Sequence, residues 1–169
     1  KWYEDKKIEL WLGRTATHLD PDGHRVTLDN GEVLKYEKLL LAVGGSPRPL
    51  PIPGANKQGV HYLRNLAQTK QIIEEVKTSK KGVAIGGGII GFEMAEMMVL
   101  GGLDTTFVIL REHYRDNVLG TEAAIAVEKS MEEHGVKILR QTKTIEILGD
   151  ERVTGLKFED GSEIECDFV

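Results

Sequence analysis

Cysteine is almost absent from this 169-residue chain. Cys166 is the only thiol, so no internal disulfide can form and a reducing, cytoplasmic setting is expected. No apolar run approaches the roughly 20 residues of a bilayer span, and no signal peptide is recognisable, so no membrane partner is expected. Neither sign of charge is concentrated: the net charge is -5, with lysine and arginine scattered, which removes the electrostatic case for nucleic acid. The five histidines, His18, His24, His61, His113 and His134, lack metal-ligand spacing with each other or with Cys166, and are expected as surface or turn residues, with no metal site. Also missing is any Tyr/Lys or His/Asp constellation that would let a simple nicotinamide dehydrogenase act directly on a substrate.

Proline is scarce outside one stretch. All but one of the five fall in SPRPLPIPGA, which cannot be a helix or a central strand and reads as a linker. Before it, residues 8–50 have β texture: IELWLG, then HRVTLDNGEVLKYEKLLLAVGG with Asp29, Asn30 and Gly31 as a hairpin turn. After it, residues 65–77 carry Leu66, Ile72, Ile73 and Val76 at helical spacing. The chain then alternates: strand 83–85, helix 89–100, strand 105–110, helix 122–134 with Gly135 just past its end, strand 136–139. This is the βαβαβ half of a Rossmann-like α/β fold. The last stretch, KTIEILGDERVTGLKFEDGSEIECDFV, returns to a β-meander with a turn at Asp160 and Gly161.

Between the first of those strands and its helix, Gly86, Gly87, Gly88, Ile89, Ile90 and Gly91 fit G-x-G-x-x-G. In that context Gly86 permits the tight turn, Gly88 lets the backbone approach a pyrophosphate, and Gly91 lets the helix pack on the strand. The positive end of the helix then faces the anion. A second feature is internal. NGEVLKYEKL (30–39) matches DGSEIECDFV (160–169) at constant offset, pairing Gly31 with Gly161, Leu34 with Ile164 and Tyr36 with Cys166. In the first copy the strand runs on into LLLAVGG, and in the second it stops at Val169. Two related nucleotide-binding domains are expected, with the sequence a piece of a longer protein.

LLLAVGGSPRPLPIPG resembles the Ala-Thr-Gly-x-x-Pro stretch that closes the FAD domain of the pyridine nucleotide-disulfide oxidoreductase superfamily, and VAIGGGIIGFEMA resembles its NAD(P)H-binding fingerprint. The resemblance covers essentially the whole chain and is nearest the rubredoxin reductase, NADH oxidase and nitrite reductase-like branch. It implies residues 1–50 as the C-terminal part of an FAD-binding domain, 51–64 as linker and 65–169 as an NAD(P)H-binding domain. A reduced nicotinamide would pass a hydride to N5 of FAD and on to a small-molecule or redox-protein acceptor, in a full-length protein for which homo-oligomers are one arrangement. Ala42, Gly44 and Pro47 would lie at the FAD, and Glu93 would orient the nicotinamide as the catalytic group; otherwise Glu93 is a carboxylate favouring its helix dipole. A non-catalytic NAD(P)-sensing or scaffold module is the alternative.

Several positions depart from the family pattern. Val43 replaces the usual Thr, and Ile89 stands where many members carry a gating Tyr. The slot for an acidic ribose ligand holds Ile109. Arg111 and Arg115 would clamp the 2′-phosphate of NADP, while Glu112 would bond the 2′-hydroxyl of NAD. The balance tips to NADP with both open. An FAD glycine motif, a redox-active Cys helix and an interface domain are not in this sequence, so the chain alone is expected to bind nucleotide weakly, hold no FAD firmly and sustain no turnover. Cys166, flanked by Glu165 and Asp167, is expected to be structural.

Overall fold

Tight turns join three short strands in the first unit of the computed structural model, which describes residues 2–169 and divides between Gly45 and Ser46. After a one-turn helix α1 (Trp2–Asp5), β1 (Ala16–Asp20), β2 (Arg25–Leu28) and β3 (Val33–Lys35) form an antiparallel sheet in that order. The turn expected at 29–31 is present: Gly31 sits at φ +84°, where a Cβ would be strained, and the Asn30 side chain accepts from the Glu32 amide.

Two expectations for this unit need correction. Residues 8–13 (IELWLG) and 38–45 (EKLLLAVGG less its first residue) form no strand. β-texture supplies side chains suited to a sheet, but a strand exists only where a neighbour takes up its amides and carbonyls. Leu40, Leu41 and Val43 find no such neighbour and are exposed.

The second unit, Ser46–Val169, contains the alternating pattern. Helix α2 (Leu66–Val76) starts at a capping box in which Asn65 accepts from the Gln68 amide and Gln68 reaches back to the Asn65 amide. Then come β4 (Lys81–Ile85), α3 (Ile89–Leu100), β5 (Asp104–Val108), the single turn α4 (Asp116–Leu119), α5 (Thr121–Glu133) and β6 (Val136–Leu139). β4, β5 and β6 form a parallel sheet in that order, and Phe168 bridges in parallel to Gly82 on the free side of β4. The spatial order is therefore third, second and first strand, followed by the chain's last residues, the arrangement of a dinucleotide-binding sheet.

Period-two alternation divides the apolar residues of this sheet between two cores. Ala84, Phe107 and Ile109 face Ala95, Met98 and Met131 of the helices. Val83 and Val108 face Ile147, Leu156, Phe158 and Cys166. The second set comes from an antiparallel meander, β7 (Thr144–Leu148), β8 (Gly155–Phe158) and β9 (Glu163–Glu165), so one face of the parallel sheet is covered by helices and the other by strands. Met98 is 1% exposed, with Met94 and Met97 packed against it, so the methionines of α3 are core packing. Ile52, Ala55 and Val60, in the stretch read as a linker, pack on the meander, and Pro53 accepts a hydrogen bond from the Ile147 amide.

The internal repeat has a structural counterpart. Arg25↔Lys35, Val26↔Leu34 and Thr27↔Val33 pair in β2–β3; Gly155↔Glu165, Leu156↔Ile164 and Lys157↔Glu163 pair in β8–β9. Both meanders carry an irregularity at the same place, Ala16/His18 and Thr144/Glu146. Asp160 accepts from the Ser162 amide as Asn30 does from Glu32. The copies differ in the first hairpin, which has residues 21–24 in one and 149–154 in the other.

Candidate nucleotide site

The glycine turn lies at the C-terminal end of β4, where an open α/β sheet places its ligands. Two of the glycines there are required, for separate reasons. Gly86 has φ +115°, a conformation L-residues rarely adopt. A Cβ on Gly91 would lie 2.1 Å from the Gly86 carbonyl oxygen and 3.2 Å from Phe107, so the helix approaches the turn too closely for any side chain. Gly88, by contrast, has an ordinary φ of -90° and open space where its Cβ would be. It is the N-cap of α3 and supplies no side-chain cap. The first amides of α3 therefore have neither an intrahelical acceptor nor a cap, and the exposed Gly86, Gly87 and Gly88 leave the approach clear. That combination fits a pyrophosphate.

Beneath the turn is a cavity of ≈ 360 Å³, bordered by Pro47, Ile72, Ile85, Ile90, Met94 and Phe168. Pro47 is half-buried there, whereas Ala42 and Gly44 belong to the first unit, both exposed and with Gly44 at φ +69°. Glu93 is exposed on α3 and does not border this cavity. Ile89 and Ile90 are each 55% exposed at the mouth of the turn.

The loop after β5 carries the remaining sequence candidates. Ile109 points into the helix-side core at 1% exposure, which excludes it from ribose binding. Arg111 and Glu112 are exposed and Arg115 half-buried, with Arg111 NH1 3.2 Å from the Asp116 carboxylate. Arg115 lies in the left-handed region at φ 50°. Between them Tyr114 is buried, its ring 5.4 Å from Phe92 and 5.8 Å from Phe107. Burial pushes its phenol up, with Arg115 opposing and Glu93 adding to the shift.

What the sequence reading missed is the carboxylate under this loop. Glu128, on α5, is 2% exposed. It accepts from the Tyr114 amide, from Arg140 Nε at 2.9 Å and from His113 Nδ1 at 3.2 Å, while Arg140 NH2 also reaches Glu132 at 2.8 Å. Burial alone would raise its pKa; the Tyr114 amide, Arg140 and His113 outweigh that and hold it below the usual carboxylate value. The signal was present in the periodicity: Ala124, Glu128 and Met131 are the buried positions of α5, so a charge stands on the apolar face.

Two histidines differ from the expected surface or turn residues. His113 belongs to this cluster, and His61 pairs with Glu75 at 2.6 Å and stacks on Phe168 at 5.0 Å, so neither is a plain surface residue. Arg152 also contacts Glu75, tying the meander to α2. Cys166 is 3% exposed, and burial first, then Asp167, pushes its thiol up to about 12. Among the described residues no group of three metal-ligating side chains converges, and no helix is long and apolar enough to cross a membrane.

The chain is similar to known proteins along essentially its whole length. The chain is 36% identical over 99% of its length to Nitrite reductase [NAD(P)H] of Bacillus subtilis (strain 168), and 33% identical over its whole length to rhodocoxin reductase of Rhodococcus erythropolis. It spans 21% and 40% of those two proteins. Among solved structures, the ferredoxin reductase for the CYP199A2 system from Rhodopseudomonas palustris is 29% identical with a TM-score of 0.91, over 99% of this chain and 42% of that one. The putidaredoxin reductase in its covalent complex with putidaredoxin is 29% identical with a TM-score of 0.89, over the same shares. A further solved structure, 26% identical with a TM-score of 0.76, is that of an FAD-dependent pyridine nucleotide-disulphide oxidoreductase from Desulfovibrio vulgaris. The family model for pyridine nucleotide-disulphide oxidoreductases matches residues 3–169, and the chain belongs to that family.

Proposed function

We propose that this chain is the NAD(P)H-binding portion of an FAD-dependent oxidoreductase, with residues 1–50 closing the FAD-binding domain, 51–64 connecting, and 65–169 receiving the nicotinamide nucleotide. The observation that carries the reading is the turn of Gly86, Gly88 and Gly91: at positive φ in the first, open at the second, closed by backbone at the third. The open α3 amides hold the pyrophosphate, and the 111–115 loop meets the adenosine ribose. When bound, the nicotinamide supplies a hydride and the flavin accepts it.

The protein's own residues position the coenzyme. Arg111 and Arg115 present guanidinium groups to a 2′-phosphate, and Glu112 presents a carboxylate to a 2′-hydroxyl. Glu93 sits one helical turn into α3, where its charge favours the helix dipole and its side chain is free to meet a bound nicotinamide. Ala42, Gly44 and Pro47 contribute to the flavin side. Electrons leave to a small molecule or a redox protein; relatives whose names include nitrite reductase and rhodocoxin reductase support both classes. A cytoplasmic location and homo-oligomers of the full-length protein complete the reading.

Calorimetric titration with NADH and NADPH at fixed salt, on the chain and on Arg111→Ala, is the test. Tighter NADPH binding that Arg111→Ala weakens by about tenfold supports the arginine clamp. Preference for NADH makes Glu112 the ribose ligand. Failure of both nucleotides to bind would refute the reading.

A further inference from the structure

The loop proposed to select the coenzyme, residues 109–115 between β5 and α4, is irregular backbone with exposed charges, and a selector of that kind discriminates only if its backbone is held. Its ends are tied by ordinary means. The Gln141 amide donates to the Arg111 carbonyl at 3.0 Å, and the Val118 and Leu119 amides donate to the Arg115 carbonyl at 2.8 and 2.9 Å. The middle is held differently: the Tyr114 amide donates to a buried side chain on another element, Glu128 of α5.

That carboxylate is expensive to bury. It lies on the apolar face of α5 between Ala124 and Met131, where an aliphatic residue would pack without desolvation. Among the described residues its donors come from two places. His113 and Tyr114 belong to the loop, and Arg140 stands at the end of β6, itself held by Glu132. Glu128 thus bonds to the loop twice and to the end of β6 once.

We infer that Glu128 is a positioning residue for coenzyme selection, fixing the loop backbone at Tyr114 so that Arg111 and Glu112 on one side and Arg115 on the other stand in place around the adenosine ribose. The inference rests on the reading that this loop meets the ribose. Tyr114 contributes by burying its ring against Phe92 and Phe107, and the carboxylate sets the depth at which its amide sits. A Gln at 128 keeps the volume but offers one acceptor for three donors and turns its NH2 toward Arg140 or the loop.

The probes are 5′-ADP and 2′,5′-ADP, which carry the ribose end of the coenzyme and differ by the 2′-phosphate. Their affinities are measured by calorimetry for the chain, Glu128→Gln, His113→Ala and Arg111→Ala, with amide hydrogen exchange read at Tyr114 and, as a folding control, at Leu156. The unsubstituted chain is expected to separate the probes by about tenfold or more in one direction. Glu128→Gln brings the ratio to within about threefold of unity and speeds Tyr114 exchange by about tenfold or more, with Leu156 unchanged. His113→Ala removes one donor, leaves the carboxylate paired with Arg140, and shifts the ratio the same way by less; it decides the matter if Glu128→Gln exposes Leu156.

A ratio that Arg111→Ala collapses and both other variants preserve overturns the inference and leaves the proposed function standing. So does a Tyr114 amide as protected in Glu128→Gln as before. Failure of the chain to bind either probe, or equal binding of both, overturns the inference at its base, and the first of these also removes the proposed function.

Discussion

Replacing Gly91 by Ala tests the close approach of α3 to the glycine turn. The added Cβ would lie 2.1 Å from the Gly86 carbonyl oxygen and 3.2 Å from Phe107 Cε2. Ordinary carbon contacts lie at about 3.5 Å, so the methyl falls more than roughly 1 Å short against backbone that cannot rotate away. Phe107 is itself fully buried and has nowhere to yield. Overpacking of this kind costs about 3 kcal/mol at the upper end of its range. Alanine returns about 1 kcal/mol through helix propensity. The net loss is about 2 kcal/mol, or roughly 6–10 °C in midpoint for a unit of this size.

Both tryptophans, Trp2 and Trp11, lie in the first unit, so their fluorescence does not report on this site. Amide exchange at Phe107 and Val108 and far-ultraviolet circular dichroism do. Gly88→Ala is the control: its φ is ordinary and its Cβ position is open, so it should cost below about 1 kcal/mol, chiefly as a poorer N-cap, while weakening nucleotide binding. A Gly91→Ala protein within about 0.5 kcal/mol of the parent, or no less stable than Gly88→Ala, would refute the packing argument.

Other outcomes follow from burial and charge. Cys166 should resist a thiol reagent at pH 8 until the second unit unfolds, since burial holds the thiol near 12; rapid modification of the folded protein would contradict this. Glu128 is held below its ordinary pKa, so its stabilisation is full above the unfolded value of 4.5 and is lost as pH falls through the lower folded value. Acid titration of stability should accordingly be shallower in Glu128→Gln between about pH 4.5 and the acid transition, and identical profiles would argue against the buried cluster. Asp167 accepts from the Lys80 and Lys81 amides at 3.0–3.1 Å, so Asp167→Ala should cost about 1–2 kcal/mol in urea unfolding of the second unit, with no change in its m-value.

The legible parts of the sequence are those whose physics is local. α3 begins and ends where periodicity and the glycines put it, and Gly135 occupies a left-handed position past α5 at φ +93°. The hairpin turns at 29–31 and 160–161 were equally readable, because a positive φ demands a particular residue. Segments 8–13 and 38–45 were misread because strand formation depends on a partner that local composition does not name. Glu128 escaped notice for a related reason. A helical wheel shows it on the apolar face of α5 but not what it pairs with, and only the fold brings Tyr114, Arg140 and His113 to it from separate stretches. The motif was legible as a glycine turn at the end of β4; the buried support beneath the 109–115 loop required three dimensions.

Two meanders of matched register also set a problem for the chain while it folds. Backbone hydrogen bonds alone do not distinguish β9 from β3 as a partner for β2, since they carry no identity and the two hairpins pair at matching spacing. Discrimination then rests on contact order and on side chains. β3 closes on β2 across a short turn, and β9 closes on β8 across one just as short, so each hairpin forms locally long before the distant copy can compete. Lengthening either turn would slow that closure and expose the duplicated ladder to exchange, both within one molecule and between molecules at high concentration.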